Sequence, residues 1–262
     1  MPPSHSTPPI QSLDRGLVLL EAVANARKPV SLADLTPVLG IDRSSVFRLA
    51  NTLKQRGFLT QLPDSKEYVL GSAIWRLASL FRFSDVLMQM AREHVNALAA
   101  QSGETTHLAI REGRQAMLID HQLTAHPVGV AGGSGFCVPL HCTSVGKALL
   151  TDCEHAQLTG LLGDGPLASL TKRTITSLAA LADDCQKTRK RGFAVDDEEQ
   201  NEGVRCVAAP IRDSSGQVVA SIGISAPAAR LPRDRFKEVG EEVVAVAREI
   251  SRKLGYVPPA KK

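Results

Sequence analysis

No stretch of the 262-residue chain approaches the roughly 18 consecutive apolar residues that a membrane-spanning helix needs, so no membrane partner is expected. The opening MPPSHSTPPIQS is rich in Pro and Ser and lacks the apolar core of a signal peptide, which points to the cytoplasm. The five cysteines, Cys137, Cys142, Cys153, Cys185 and Cys206, are odd in number and none stands in a Cys-x-x-Cys pair. Reduced thiols are therefore expected in place of a disulfide framework. Cys137-x-x-x-His141-Cys142 lacks the second ligand pair of a zinc site, and no metal is assigned. The glycine-rich AGGSGF at 131–136 lacks the Lys-Ser/Thr ending of a nucleotide-binding loop. No G-x-S-x-G elbow occurs. Ser144 or Cys142 could be set beside His141 and Asp196 as a nucleophile, base and orienting group, but nothing in the sequence frames them so, and neither catalysis nor a cofactor is expected.

The net excess of one sign of charge is also small. The formal net charge is only +4, yet residues 1–82 carry ten Lys/Arg against six Asp/Glu, whereas residues 83–262 balance at 21 of each. The whole excess falls on the first third, where a positive field would favour phosphate.

In that third, SLADLTPVLGIDRSSVFRLANTLKQ (31–55) reads as two short helices around a turn. Ser31 can cap the first, Leu32, Leu35 and Leu39 form its apolar stripe, and Gly40 ends it. Asp42 can cap the second, on which Val46, Leu49, Ala50 and Leu53 share one face. Ser44, Arg48, Asn51 and Gln55 then point the other way, flanked by Arg43, Phe47 and Lys54. An outward Ser/Arg/Asn row is what major-groove readout uses, because Arg matches guanine and Asn matches adenine; the alternative is an ordinary solvated helix face.

Two flanking features favour the DNA reading. GFLTQLPDSKEYVLG (57–71) predicts a β-hairpin, the wing of a winged helix-turn-helix, with Lys66 and Tyr68 near its tip facing phosphate. Upstream, Leu13, Leu17, Leu20 and Ala24 predict a helix that covers the pair. The expected DNA contacts are Arg43, Ser44, Ser45, Phe47, Arg48, Asn51, Lys66 and Tyr68.

The expected organisation is a loose tail at 1–11, a winged helix-turn-helix at 12–71, a linker helix at 72–84, an effector-binding domain at 85–256 and a tail at 257–262. Trp75 on the linker reads as a core or interface residue. The second domain reads as α+β: a helix at 86–101, a hairpin at 106–121, a short strand at 128–130, a helix at 143–151, loop to 172, a helix after Ser177, strands at 204–212 and 217–225, and a closing helix at 233–254. The basic run 187–191 suits a helix C-terminus. Three polar places suggest a pocket: the free amides of Ser144 and Val145, the acidic run Asp196 to Glu199, and the strand pair bearing Cys206 with Ser221, Gly223 and Ser225 on one face. Taken singly, the acidic run could be a solvated turn and Cys206 a packing residue.

SLDRGLVLLEAV, DRSSVFRLANTLKQRGFL, PLHCTSVGKALL and GFAVDDEEQNEGVRCVAAPIRDSSGQVVASIGISAP occur in this order, and together they resemble the isocitrate lyase regulator (IclR) family of bacterial transcription factors across residues 10–256. The resemblance implies a winged helix-turn-helix joined by a linker helix to a GAF-like α+β effector domain. It also implies dimers or dimers of dimers on palindromic double-stranded promoter DNA, repression or activation of catabolic operons, and a small organic or aromatic acid as effector. By the same resemblance the effector-binding positions are Val138, Ser144, Val145, Asp196, Cys206 and Ser225. Gly223 departs from the family pattern, standing where a carboxylate-sensing member has a hydroxyl, so no particular metabolite carries over.

Overall fold

The computed structural model describes residues 10–26, 28–78 and 82–258. The expected N-terminal tail, part of the expected linker helix and the last residues of the C-terminal tail fall wholly or partly outside that range. The chain divides into two compact units after Arg82.

The first unit contains α1 (Gln11–Ala26), α2 (Leu32–Leu39), α3 (Arg43–Gln55), a two-stranded antiparallel sheet of β1 (Leu59–Gln61) and β2 (Tyr68–Leu70), and α4 (Ser72–Ala78). Ser31 and Asp34 form a reciprocal capping box at the start of α2, and Gly40 ends that helix in the left-handed conformation at φ 60°. Asp42 caps α3. Leu35 of α2 and Val46 and Ala50 of α3 are buried against one another's helices in a common core with Leu19, Val23 and Leu59.

Two expectations fail here. Leu13, Leu17 and Ala24 of α1 are exposed, while Leu19 and Val23 are the buried pair. The core takes up α1 only from Leu19 onward, and the leucines of its first half line an open cleft of about 580 Å³ opposite Leu49 and Leu53 of α3. Tyr68 is the second correction. Its backbone exchanges both hydrogen bonds with Val30, at 2.7 and 3.1 Å, and its ring lies in the core with 1% exposure, in the same cluster as Val30. It is no phosphate contact. Trp75, in contrast, is 79% exposed and belongs to no core among the described residues.

The second unit is α+β. Its six strands are β3 (Thr105–Glu112), β4 (Gln115–Gln122), β5 (Cys137–Pro139), β6 (Ala194–Asp197), β7 (Val204–Arg212) and β8 (Val218–Pro227), in the antiparallel order β5-β4-β3-β8-β7-β6. Alternation sends Leu108, Val207, Ile222 and Ile224 to one face, where α5 (Arg82–Ser102) and α9 (Phe236–Lys253) cover them. Ala109, Leu118, Ala194 and Ala208 face the other side, beneath α6 (Ser144–Leu149), α7 (His155–Leu162) and α8 (Leu178–Arg191). Gly146 lets the first turn of α6 pack on the segment that leads into it: a Cβ there would stand 2.5 Å from Leu140 Cα.

The strand expected at 128–130 is absent, and the edge partner of β4 is β5 instead. Val128 and Val130 flank Gly129 without continuing a ladder, and the carbonyl of Val130 is taken by the Thr105 side chain. Conversely, α7 lies within the expected loop; a short helix that buries only Leu158 leaves little apolar periodicity to find.

Tyr68→Ala is expected to destabilise the N-terminal unit by about 3–5 kcal/mol through the cavity it opens. Denaturant unfolding checks this, and a loss below about 1 kcal/mol would restore Tyr68 to the surface.

Candidate functional site

The outward edge of α3 is shaped by its cap. The Asp42 carboxylate accepts from the hydroxyls of Ser44 and Ser45 and from the Ser45 amide, and these bonds, Ser44's first, hold its pKa well below the usual carboxylate range. Ser44 and Ser45 therefore have their hydroxyl protons committed to the cap. Arg43, Phe47 and Arg48 are exposed and Asn51 is half-buried. Among the described residues neither arginine makes an ion pair within the protein. The wing is tied to this helix: Lys54 Nζ donates to Gln61 Oε1 at 3.1 Å, and Gln61 Nε2 donates to the Lys66 carbonyl at 3.1 Å. Lys66 is exposed and has φ 59°, a left-handed turn that carries its side chain at the hairpin tip. The helix edge and the wing tip thus form one polar surface, from which Tyr68 is missing.

In the second unit, register brings three of the expected effector residues into one row. Asp196 on β6 pairs with Cys206 on β7, and Cys206 pairs with Ser225 on β8. The Ser225 hydroxyl and the Asp196 carboxyl both hydrogen-bond the thiol, which burial holds protonated, far above the usual range. Val138 lies on β5, at the opposite edge of the sheet from β6. Ser144 and Val145 are buried at the start of α6, where the Thr143 side chain accepts from Gly146 N and the first two amides lie outside the helical ladder. Ser221 does not join the row; its hydroxyl donates to the Val145 carbonyl at 3.0 Å and fastens α6 to β8. Gly223 has no room for a hydroxyl-bearing side chain as the strands stand, since a Cβ would come within 2.6 Å of Ala208 Cβ.

The acidic run is not a solvated turn. Asp197 and Glu198 pair with Arg173 and Arg205, and Asp197 also with Arg233. Glu199 lies 2.5 Å from Lys147 Nζ, whose side chain is 1% exposed and which also meets Asp184 at 3.2 Å. Asp196 is 1% exposed and accepts from the amides of Glu199 at 2.7 Å and Gln200 at 3.4 Å. Desolvation raises its pKa to about 7; the Glu199 carboxylate adds to the rise, while the Glu199 amide and the Lys147 ammonium oppose it. Lys147 is the residue that sequence reasoning missed. Its only signal is a lone charge inside the otherwise small and apolar SVGKALL.

A nucleophilic arrangement does not form. Cys142 is pushed up to about 12, first by burial and then by Asp196 and Glu199, and the His141 ring nitrogen Nε2 is paired with the Ala168 carbonyl at 2.9 Å. No group of three or more His, Cys, Asp or Glu among the described residues could hold a metal ion.

A winged helix-turn-helix followed by an α+β unit places the molecule among two-domain transcriptional regulators. The helix-turn-helix domain of the IclR family matches residues 12–63, and the family described as the bacterial transcriptional regulator IclR C-terminal matches residues 84–252. The chain belongs to the IclR family. It is 34% identical over 252 residues to the transcriptional repressor IclR of Escherichia coli K12, covering 95% of this chain and 92% of that protein. Thermotoga maritima IclR has the same fold, with TM-score 0.73 and 30% identity over 95% of this chain and all of that one. An IclR homologue from Microbacterium hydrocarbonoxydans, crystallised with 4-hydroxybenzoate, aligns at TM-score 0.79 over 93% of this chain and 98% of that one with 21% identity, a likeness of fold.

The raised Asp196 pKa has a consequence for stability. An unfolded aspartate loses its proton near pH 4, so between about pH 4 and 7 the folded chain holds a proton that the unfolded chain has released, and stability falls as pH rises through that window. Asp196→Asn removes this contribution. The difference in unfolding free energy, wild type minus variant, should decline from pH 4 to 7 and then level off; a difference that stays flat would show that Asp196 titrates normally.

Proposed function

We propose that this protein is a repressor that reads a palindromic operator through the outward edge of α3 and releases it when a small organic or aromatic acid occupies the second unit. The observation that carries the reading is the arrangement of α3. Val46 and Ala50 are buried while Arg43, Phe47 and Arg48 are exposed with half-buried Asn51 beside them, and the two arginines make no ion pair among the described residues. These groups match base edges: guanidinium to guanine, amide to adenine, ring to the thymine methyl. Lys66 at the wing tip supplies a phosphate contact, and the positive excess of residues 1–82 supplies the general attraction. The proposed domain limits are 12–71 for DNA binding, 72–84 for the linker and 85–256 for the effector domain, with homodimers or homotetramers matching the operator's symmetry.

For the effector, Asp196, Cys206 and Ser225 form the polar wall, Ser144 and Val145 offer amides, and Val138 supplies apolar contact. A ligand bound there alters operator affinity only if it binds the DNA-competent and DNA-incompetent states unequally. The named relatives support repression, and the 4-hydroxybenzoate held by the Microbacterium homologue supports trying aromatic acids first.

Gel shift on the DNA upstream of the protein's own coding region tests the first half. Arg48→Ala should weaken specific binding by about 1–3 kcal/mol and relax the base preference at one position, whereas Lys66→Ala should weaken every sequence alike and flatten the salt dependence. An unchanged preference and an unchanged slope would remove these residues from the interface. Asp196→Ala should keep operator binding and lose the response to acids; normal release by the variant would move the effector elsewhere.

A further inference from the structure

The basic run at 187–191 ends α8 beside an open edge of the large sheet. β6 pairs with β7 only as far as Ala194 opposite Ala208, which leaves residues 209–212 of β7 without a strand on that side. Pro210 has no N–H, and the Arg212 amide is taken by the Ser251 hydroxyl at 2.9 Å, so a further strand has little to pair with. Over this edge, between the ends of α8 and α9, lies a cavity of about 460 Å³, a volume within the range of small-molecule sites. Asp196, Cys206 and Ser225 are not among its lining residues.

Four arginines line the cavity: Arg189 from α8, Arg212 from β7, and Arg248 and Arg252 from α9. They meet two carboxylates. Asp152 takes both arms of Arg212, at 2.5 and 2.9 Å, and lies 3.9 Å from Arg189, while Glu249 meets Arg252 at 2.8 Å. Arg248 makes no ion pair among the described residues, and four guanidinium groups against two carboxylates leave two positive charges over. Cations at a helix end ordinarily answer the helix dipole, but here backbone amides already cover the last carbonyls. Gly192 N donates to Thr188 O at 2.7 Å, and Gly255 N and Tyr256 N donate to Arg252 O and Ser251 O at 3.0 and 2.9 Å. Thr188 lines the same cavity, is fully buried, and has a hydroxyl without a hydrogen-bond partner. Such a group is costly to enclose, and it marks a place where a ligand oxygen completes the pairing.

We infer that this cavity binds a phosphate monoester with a compact apolar or aromatic body, its phosphate held by Arg248 and Arg252 with the Thr188 hydroxyl beside it. A monoester carries nearly two negative charges at neutral pH, which matches the surplus; a single carboxylate would leave one guanidinium unbalanced. The planar guanidinium fork suits phosphate oxygens. Val244, Ala247 and the half-buried Tyr256 ring supply an apolar wall for the rest of the molecule. None of this depends on the effector-site reading of Asp196, Cys206 and Ser225.

Full-length protein is titrated calorimetrically with phenyl phosphate in about 150 mM chloride, a salt level that screens loose surface attraction. The wild type should bind one molecule per chain, more tightly as pH rises through about 6 and the second phosphate proton leaves. Changing the exposed pair together, Arg248→Gln with Arg252→Gln, should weaken binding about tenfold or more, the scale of a hydrogen bond to a charged group. Thr188→Val should also weaken it, and Thr188→Ser should restore it, which separates the hydroxyl from packing. Asp196→Ala, and Arg43→Gln with Arg48→Gln, should bind phenyl phosphate as the wild type does. Failure of the wild type to bind overturns the assignment, as does binding that the Arg248 and Arg252 changes leave intact. Loss of binding with Arg43 and Arg48 would move the phosphate to the first unit, and loss with Asp196 would move it to the polar row; either result overturns the site. If phenyl phosphate does not bind but a short DNA duplex is held less tightly by the Arg248→Gln, Arg252→Gln protein, the patch is a nucleic-acid contact and the small-molecule assignment falls.

Discussion

One buried ammonium sets the geometry of the sensor unit. Lys147 leaves water almost completely, and it can do so because Glu199 and Asp184 meet it at 2.5 and 3.2 Å. Burying such a cluster costs several kcal/mol per ion, so its attraction does little more than offset desolvation. What it provides is position. Lys147 comes from α6, Asp184 from α8 and Glu199 from the turn after β6, and the three elements meet in one arrangement. Any slip of α6 would leave a charge buried and unpaired, a penalty far larger than the loss of an ordinary contact.

The polar row inherits that arrangement. The turn that brings Glu199 to Lys147 also aims the Glu199 amide at Asp196, and β6 then delivers Asp196 to Cys206. Enclosure sets the row's protonation: the Cys206 thiol within it and the nearby Cys142 thiol stay protonated, and Asp196 stands close to its midpoint at neutral pH. A protonated Asp196 can donate to a bound carboxylate where an ionised one would repel it. An acid bound at this place, as proposed, would favour uptake or retention of a proton, so that its affinity and the carboxyl's titration would be linked.

Local chemistry was legible in the sequence wherever it decided the structure by itself. Ser31, Gly40 and Asp42 mark the ends of α2 and α3 because capping involves groups within four residues, and the buried face of α3 follows from spacing alone. Long-range packing was not legible. Leu13 and Leu17 have the same helical spacing as core residues, yet nothing from α2 or α3 closes over them; Tyr68 looks like a wing-tip residue until Val30 pairs with its backbone. Asp196, Cys206 and Ser225 could be listed one by one as candidates, but the row they form depends on strands separated by many residues in the chain. Thr188 shows the limit: the run KTRKR discloses a basic helix end, not that the hydroxyl within it is buried without a partner.

The two units also spend their charges in opposite ways, and this separates their sensitivities. In the first, Arg43, Arg48 and Lys66 are exposed and make no ion pair among the described residues, so any attraction their charges exert on an anionic partner is screened by salt. In the second, Lys147, Asp197, Glu198 and Arg205 are paired within the fold, and their interactions lie largely beyond the reach of ions in solution. Ionic strength therefore acts on the attraction to DNA, while pH near neutrality acts on Asp196. Under the proposed mechanism, a regulator so divided would keep its general affinity for nucleic acid set by the medium and let one buried site decide, through different affinities for two states, how much of the protein is competent to bind.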